Sequence, residues 1–81
     1  MDEVMDEVRV EMSNAAAKFG APTSAHESYG VLAEEMAELL EAIRANKQES
    51  VRAEALQVAA VALRLAHSCR AHDRFKYRSG F

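Results

Sequence analysis

Glu34, Glu35, Glu38 and Glu54 are the side chains of this 81-residue chain best placed to do chemistry. Glu35 and Glu38 stand three residues apart, a spacing that a helix sets on one face. Glu54 falls in a run otherwise rich in Val, Ala and Leu. An ionised carboxylate taken out of water costs several kcal/mol unless something compensates it, so an acid in an apolar stripe is paired, protonated or bound to a cation. Several acids together favour Mg²⁺, which takes oxygen ligands at about 2.0–2.1 Å, keeps several waters and commonly bridges to phosphates. Gln57, one turn after Glu54, occupies the place where a fourth inward acid would close the cage. Its side-chain oxygen can ligate a hard cation, but without the charge that strengthens metal binding and activates water.

These residues need two facing helices. Around the second helix, steps of roughly 100° put Leu32, Met36, Leu39 and Ile43 on an apolar stripe, with Glu35 at its edge, Glu38 one step further and Glu34 and Glu41 turned to solvent. Around the third, Val51, Ala55, Val58, Val61, Ala62, Leu65 and Cys69 form the stripe and Glu54 lies within it. A second side of that helix, Leu56, Ala59, Ala60, Leu63 and Ala66, is also apolar, so it must be covered twice. Two other helices of so short a chain are expected to cover one side, and a second copy the other. The expectation is therefore an all-α homodimer: three helices per chain, with an antiparallel hairpin forming a four-helix bundle core on dimerisation, or a dimer of such dimers.

Breaks in the sequence frame these helices. The first is expected over about Asp2 to Lys18, with Val4, Val8, Met12, Ala15 and Phe19 on one side and acids in its first turns, where the helix dipole favours them. Gly20-Ala21-Pro22-Thr23 ends it, since glycine accepts the left-handed conformation and proline cannot continue a helix. Thr23 or Ser24 caps the second helix, which runs to about Ala45. After the short connection Asn46-Lys47-Gln48, the third helix starts near Glu49 or Ser50 and reaches about His72. Residues 1–81 read as one domain, with 73–81 a loop-like tail.

Composition narrows the class. Three glycines and one proline leave helix formers in surplus, and so short a domain is marginally stable alone. The single cysteine, Cys69, permits no intrachain disulfide and is expected as a small core residue. No basic-then-apolar start and no apolar run near 20 residues point to export or a membrane, so a cytoplasmic setting is expected. The net charge of −3 is divided unevenly. Residues 1–11 hold five acids against Arg9, and residues 64–81 hold five basic groups against Asp73. Phe75, Tyr77 and Phe81 interleave the basic end, yet no groove-reading motif accompanies them and nucleic acid is not the expected partner.

With Glu34-Glu35-Met36-Ala37-Glu38, a spacer of 15 residues and Glu54-Ala55-Leu56-Gln57, the chain resembles the MazG-like all-α nucleoside triphosphate pyrophosphohydrolases, whose pattern is EExxE, a spacer, then ExxD. The likeness covers about residues 26–70, including the apolar run Val58 to Leu63 and Arg64. It implies a dimeric or tetrameric helical bundle and a Mg²⁺-dependent hydrolase, Mn²⁺ being able to substitute. The reaction implied cleaves the α–β phosphoanhydride of a (deoxy)nucleoside triphosphate, giving the monophosphate and pyrophosphate. In the same resemblance Glu35, Glu38 and Glu54 bind the metal and Glu34 orients or deprotonates the attacking water. Gln57 departs from the pattern, and with it a binding protein without hydrolysis becomes an alternative.

Lys47 in the connection and Arg64, two turns after Gln57, are the candidate phosphate contacts. Arg64 is equally suited to pair with Glu38 or Glu41. His26 is placed to contact a base or phosphate and Tyr29 to stack on a base, against structural readings for both. A further alternative is a plain helical dimerisation module in which Glu54 pairs with Arg52 or Arg64.

Overall fold

Gly20 and Asn46 adopt positive φ, 74° and 59°, and mark the two points at which the chain changes direction. This computed structural model describes residues 1–71 as three helices, α1 (Asp2–Phe19), α2 (Ala25–Arg44) and α3 (Gln48–Ala71). The expected boundaries hold to within a residue or two. The tail at 73–81, with Phe75, Tyr77, Phe81 and its basic groups, lies outside the described residues, as does His72. Among the described residues, no helix is long and apolar enough to cross a membrane.

Local chemistry accounts for the ends. Gly20 closes α1, its N–H donating to the Ala16 carbonyl at 2.9 Å. Ser24 starts α2 in extended backbone. Its hydroxyl accepts the Glu27 N–H at 3.0 Å, and the Glu27 carboxylate reaches back to accept the Thr23 N–H at 2.8 Å. The first bond satisfies a donor that the helix start leaves orphaned, and the second ties the residue before the cap to the first turn. At the other end of α2, the N–H groups of Ala45 and Lys47 donate to the carbonyls of Glu41 and Ala42. Only Ala45–Lys47 separate α2 from α3, so the two helices fold back as an antiparallel hairpin.

α3 is the central element. It packs against both α1 and α2, whereas among the described residues α1 and α2 have no Cα pair within 8 Å. α1 lies across α3. Its Glu7 and Glu11 reach Arg52 and Gln57 in the first half of α3, while Met5, Val8 and Met12 share a depression with Leu63, Ala66 and Arg70 in the second half. Among the described residues, Val8 on α1, Ala25 and Ala42 on α2 and Ala60 on α3 are the buried apolar residues of a small core.

Two expectations about packing are corrected. The second side of α3 was expected to be covered by another copy of the chain; α1 packs on part of it, with Leu56 and Ala59 half-buried and Ala60 buried, while Leu63 and Ala66 stay exposed. The packed face of α2 also differs. It consists of Ala25, Ser28, Leu32, Glu35, Leu39 and Ala42, alternating steps of three and four. Small residues at 25, 28 and 42 let the α3 backbone approach, so they outrank larger neighbours. Met36 and Ile43, expected on that face, are 49% and 52% exposed. With Ala33, Ala37 and Leu40 they border a separate, outward-facing apolar depression on α2. On α3, likewise, Ala55 and Ala62 of the expected stripe are exposed.

Candidate metal centre

Glu35 stands within the packed face of α2 because 28, 32, 35, 39 and 42 share one side of the helix, and it meets Glu54 on the corresponding side of α3. Glu38 lies one turn along α2, at the exposed rim of the same groove. One carboxylate oxygen from each of Glu35, Glu38 and Glu54 lies within 4.8 Å of the others. That spacing suits three ligands of one ion. Glu35 and Glu54 are half-buried, so an ion held there would keep part of its water shell, as Mg²⁺ requires.

The electrostatics of this groove are unfavourable without a counter-charge. Glu35 Oε1 is fully buried and has no hydrogen-bond partner. Burial above all, then the nearby Glu54 and Glu38 carboxylates, push the Glu35 carboxyl up to about 7. A bare acid there has two ways to relieve its burial, holding a proton or binding a cation. The donor set consists of hard oxygens from two helices, and the orphaned Oε1 is the atom a bound ion would satisfy; the residues present fit a divalent hard cation.

The arginines proposed as structural partners for Glu54 are engaged elsewhere. Arg52 pairs with Glu7 on α1, and its guanidinium holds the Glu7 carboxyl below the usual carboxylate range. Arg64 donates to the Gly20 carbonyl, tying α3 to the end of α1 rather than pairing with Glu38 or Glu41. Among the described residues the ion pairs are Arg52–Glu7 and Arg9–Asp6, and neither includes an acid of the cluster.

The other candidate residues are dispersed. Glu34 is exposed on α2 beside Glu35. Gln57 is half-buried and its side-chain amide nitrogen donates to Glu11 Oε1 on α1 at 2.6 Å. Lys47 is exposed in the hairpin turn. His26 and Tyr29 are exposed on the first turns of α2, and Tyr29, at 68% exposure, fills no core edge. At 1.5 Å per helical residue, Lys47 is roughly 30 Å from His26, with the acids between them. Arg64 lies at the His26 end, since it reaches the loop that precedes α2. A single small substrate at the acids therefore cannot touch all four.

Glu11 was not among the expected site residues and counted only as one of the five acids of residues 1–11. A signal was present: Glu11 directly precedes Met12, at the border of the Val4, Val8, Met12, Ala15 stripe, and a polar residue there can reach across a helix contact. Comparisons of the chain with protein-family models, with curated proteins and with solved structures find no match.

Proposed function

We propose that this chain is a Mg²⁺-dependent nucleotide pyrophosphohydrolase resembling the MazG-like enzymes. The observation that carries the proposal is the buried, unpartnered Glu35 Oε1, with Glu38 and Glu54 oxygens within 4.8 Å across the hairpin. Glu35, Glu38 and Glu54 would hold the ion, which supplies charge neutralisation of the phosphates and a more acidic water. Glu34, exposed beside the site, would orient that water and accept its proton. Arg64, His26 and Tyr29 lie toward one end of α2 and would serve the substrate from there, in which case Lys47, at the opposite end, would not touch the same molecule. A cytoplasmic setting fits a nucleotide substrate.

The working unit proposed is a homodimer, or a dimer of dimers. Its support is the outer face of α2: Tyr29, Met36, Leu40 and Ile43 are 45–68% exposed and follow a three-and-four spacing with Ala33 between them. A second copy laid on that face, beside the exposed Ala55 and Ala62 of α3, would give the four-helix core.

A second reading has its own observation. The Gln57 amide is bonded to Glu11, so the position that would supply a fourth acid is neutral and already engaged. Under that reading the chain binds metal and nucleotide without hydrolysis. A panel of ribo- and deoxyribonucleoside triphosphates, with and without Mg²⁺ and with pyrophosphate detection, tests both. Turnover with Mg²⁺ supports the enzyme. Calorimetric binding with no product supports the binding protein, and neither turnover nor binding removes both.

A further inference from the structure

Along the outer face of α2, Tyr29, Ala33, Met36, Leu40 and Ile43 follow one another at alternating steps of four and three. That is the spacing of a seam between two helices rather than of scattered surface residues. Its large members are 45–68% exposed, and among the described residues no other helix borders the apolar depression they form.

Charge selects the direction of a helix laid on this seam. The acids of α2, Glu27, Glu34, Glu35, Glu38 and Glu41, all precede Arg44, and Lys47 follows in the turn. Among the described residues Glu34, Arg44 and Lys47 take part in no ion pair. A second copy laid parallel would set Arg44 against Arg44 and Glu34 against Glu34 and would align two helix dipoles, all of which repel. Laid antiparallel, the basic end of each α2 meets the acidic part of the other. Side-chain size then selects the register. With a two-fold axis level with residue 38, midway between 33 and 43, small Ala33 meets Ile43 and Met36 meets Leu40, each contact occurring twice. A shift of one heptad would instead set Ile43 against His26, or Met36 against Lys47.

We infer that a second copy of this chain docks antiparallel on the outer face of α2 with the axis level with residue 38, so that each Arg44 lies opposite the partner's Glu34 and each Tyr29 opposite the partner's Lys47. The arrangement rests on the homodimer reading above and fixes its direction and register. It also bears on the substrate end of α2. Lys47 of the same chain lies roughly 27 Å from Tyr29, at about 1.5 Å per helical residue, whereas the partner's Lys47 lies beside it. The second copy thus brings basic charge to the end marked by His26 and Tyr29.

Disulfide cross-linking of the full chain is the test, in a Cys69→Ser background so that only introduced thiols react. A bridge needs Cα atoms within about 7 Å. Ala37→Cys, about 3 Å from its counterpart along the seam, should link two copies under mild oxidation. Ala33→Cys alone and Ile43→Cys alone, each about 15 Å from its counterpart, should not. The two together in one chain should link the bulk of the protein as covalent dimer. All three positions are exposed, and light scattering of the reduced variants checks that assembly is kept. Self-linking of Ala33→Cys and Ile43→Cys singly would show a parallel pair and overturn the inference. A dimer mass without any cross-link would place the contact on another face and overturn it too, leaving the homodimer reading intact. A monomer mass for the wild type would end both.

Discussion

Glu35 on α2 and Glu54 on α3 face each other across the hairpin, with carboxylate oxygens close enough to share one ion and, among the described residues, no arginine paired with either. Folding must therefore bring two acids together out of water, which costs free energy unless a proton or a cation joins them.

The first consequence is a dependence on pH. The Glu35 carboxyl is raised from 4.5 to about 7, by burial first and by Glu54 and Glu38 next. The folded state then holds this proton more tightly than the unfolded chain does. Below about pH 4.5 both states are protonated and Glu35 exacts no penalty; as pH rises through 7 the penalty becomes complete. In a chelator, stability should fall between pH 5 and 8 by at most about 3 kcal/mol, less what solvent screening removes. Urea melts at both pH values measure it, and Glu35→Gln should flatten the curve. A wild-type curve already flat would show that the acids are not in contact.

A cation should reverse that penalty. An ion bound only by the folded state stabilises by RT ln(1 + [L]/Kd), about 2.7 kcal/mol at a hundredfold excess over Kd. Mg²⁺ added at pH 8 should accordingly raise the melting temperature, and Glu54→Gln should abolish the increase. Were Glu54 only a structural acid, Mg²⁺ would leave the melting temperature where it was and Glu54→Leu would stabilise the fold.

Restoring the fourth acid tests the chemistry at Gln57. Gln57→Asp gives up the bond to Glu11 but adds a unit of negative charge one helical turn after Glu54. Mg²⁺ binding should strengthen, and turnover should rise or first become measurable in the triphosphate panel. An unchanged metal affinity would place residue 57 outside the centre.

How much of this was legible in the sequence depends on what kind of residue marked each feature. The three helices were, because Gly20, Pro22, Ser24 and Asn46 punctuate the chain through backbone preferences that act locally. The pairing of Glu35 with Glu54 was too, since an acid inside an apolar stripe is conspicuous. The packed face of α2 was misjudged because Ser28 and Ala42 bury little surface yet decide how closely helices approach, while Met36 and Ile43 look like core and are not. Glu11 was missed because its role exists only through a contact 46 residues away along the chain. No periodicity within α1 could reveal that α1 lies across α3.

Met36, Leu40 and Ile43 provide a test of assembly that leaves the hairpin intact, since their face of α2 is turned away from α3. Light scattering should give a dimer mass at micromolar concentration, and Leu40→Glu should give a monomer whose helical content is unchanged. A wild-type monomer would remove the dimer proposal.

Gly20 and Gly30 should respond in opposite directions to one substitution. An added Cβ meets nothing within 4 Å at either position, so neither effect involves a clash. At Gly20 the backbone has φ 74° and ψ −165°, a region open almost solely to glycine, and Gly20→Ala should cost on the order of 1–3 kcal/mol. Gly30 lies inside α2, where alanine is favoured over glycine by up to about 1 kcal/mol, so Gly30→Ala should stabilise. In a domain of this size each kcal/mol moves the melting temperature by roughly 4–8 °C, well within the reach of calorimetry. The Gly20 carbonyl also receives Arg64, so the bend there helps seat α1 on α3. If Gly20→Ala disturbs that seating, Mn²⁺ binding should weaken along with stability, whereas Gly30→Ala should raise stability and leave metal binding unchanged.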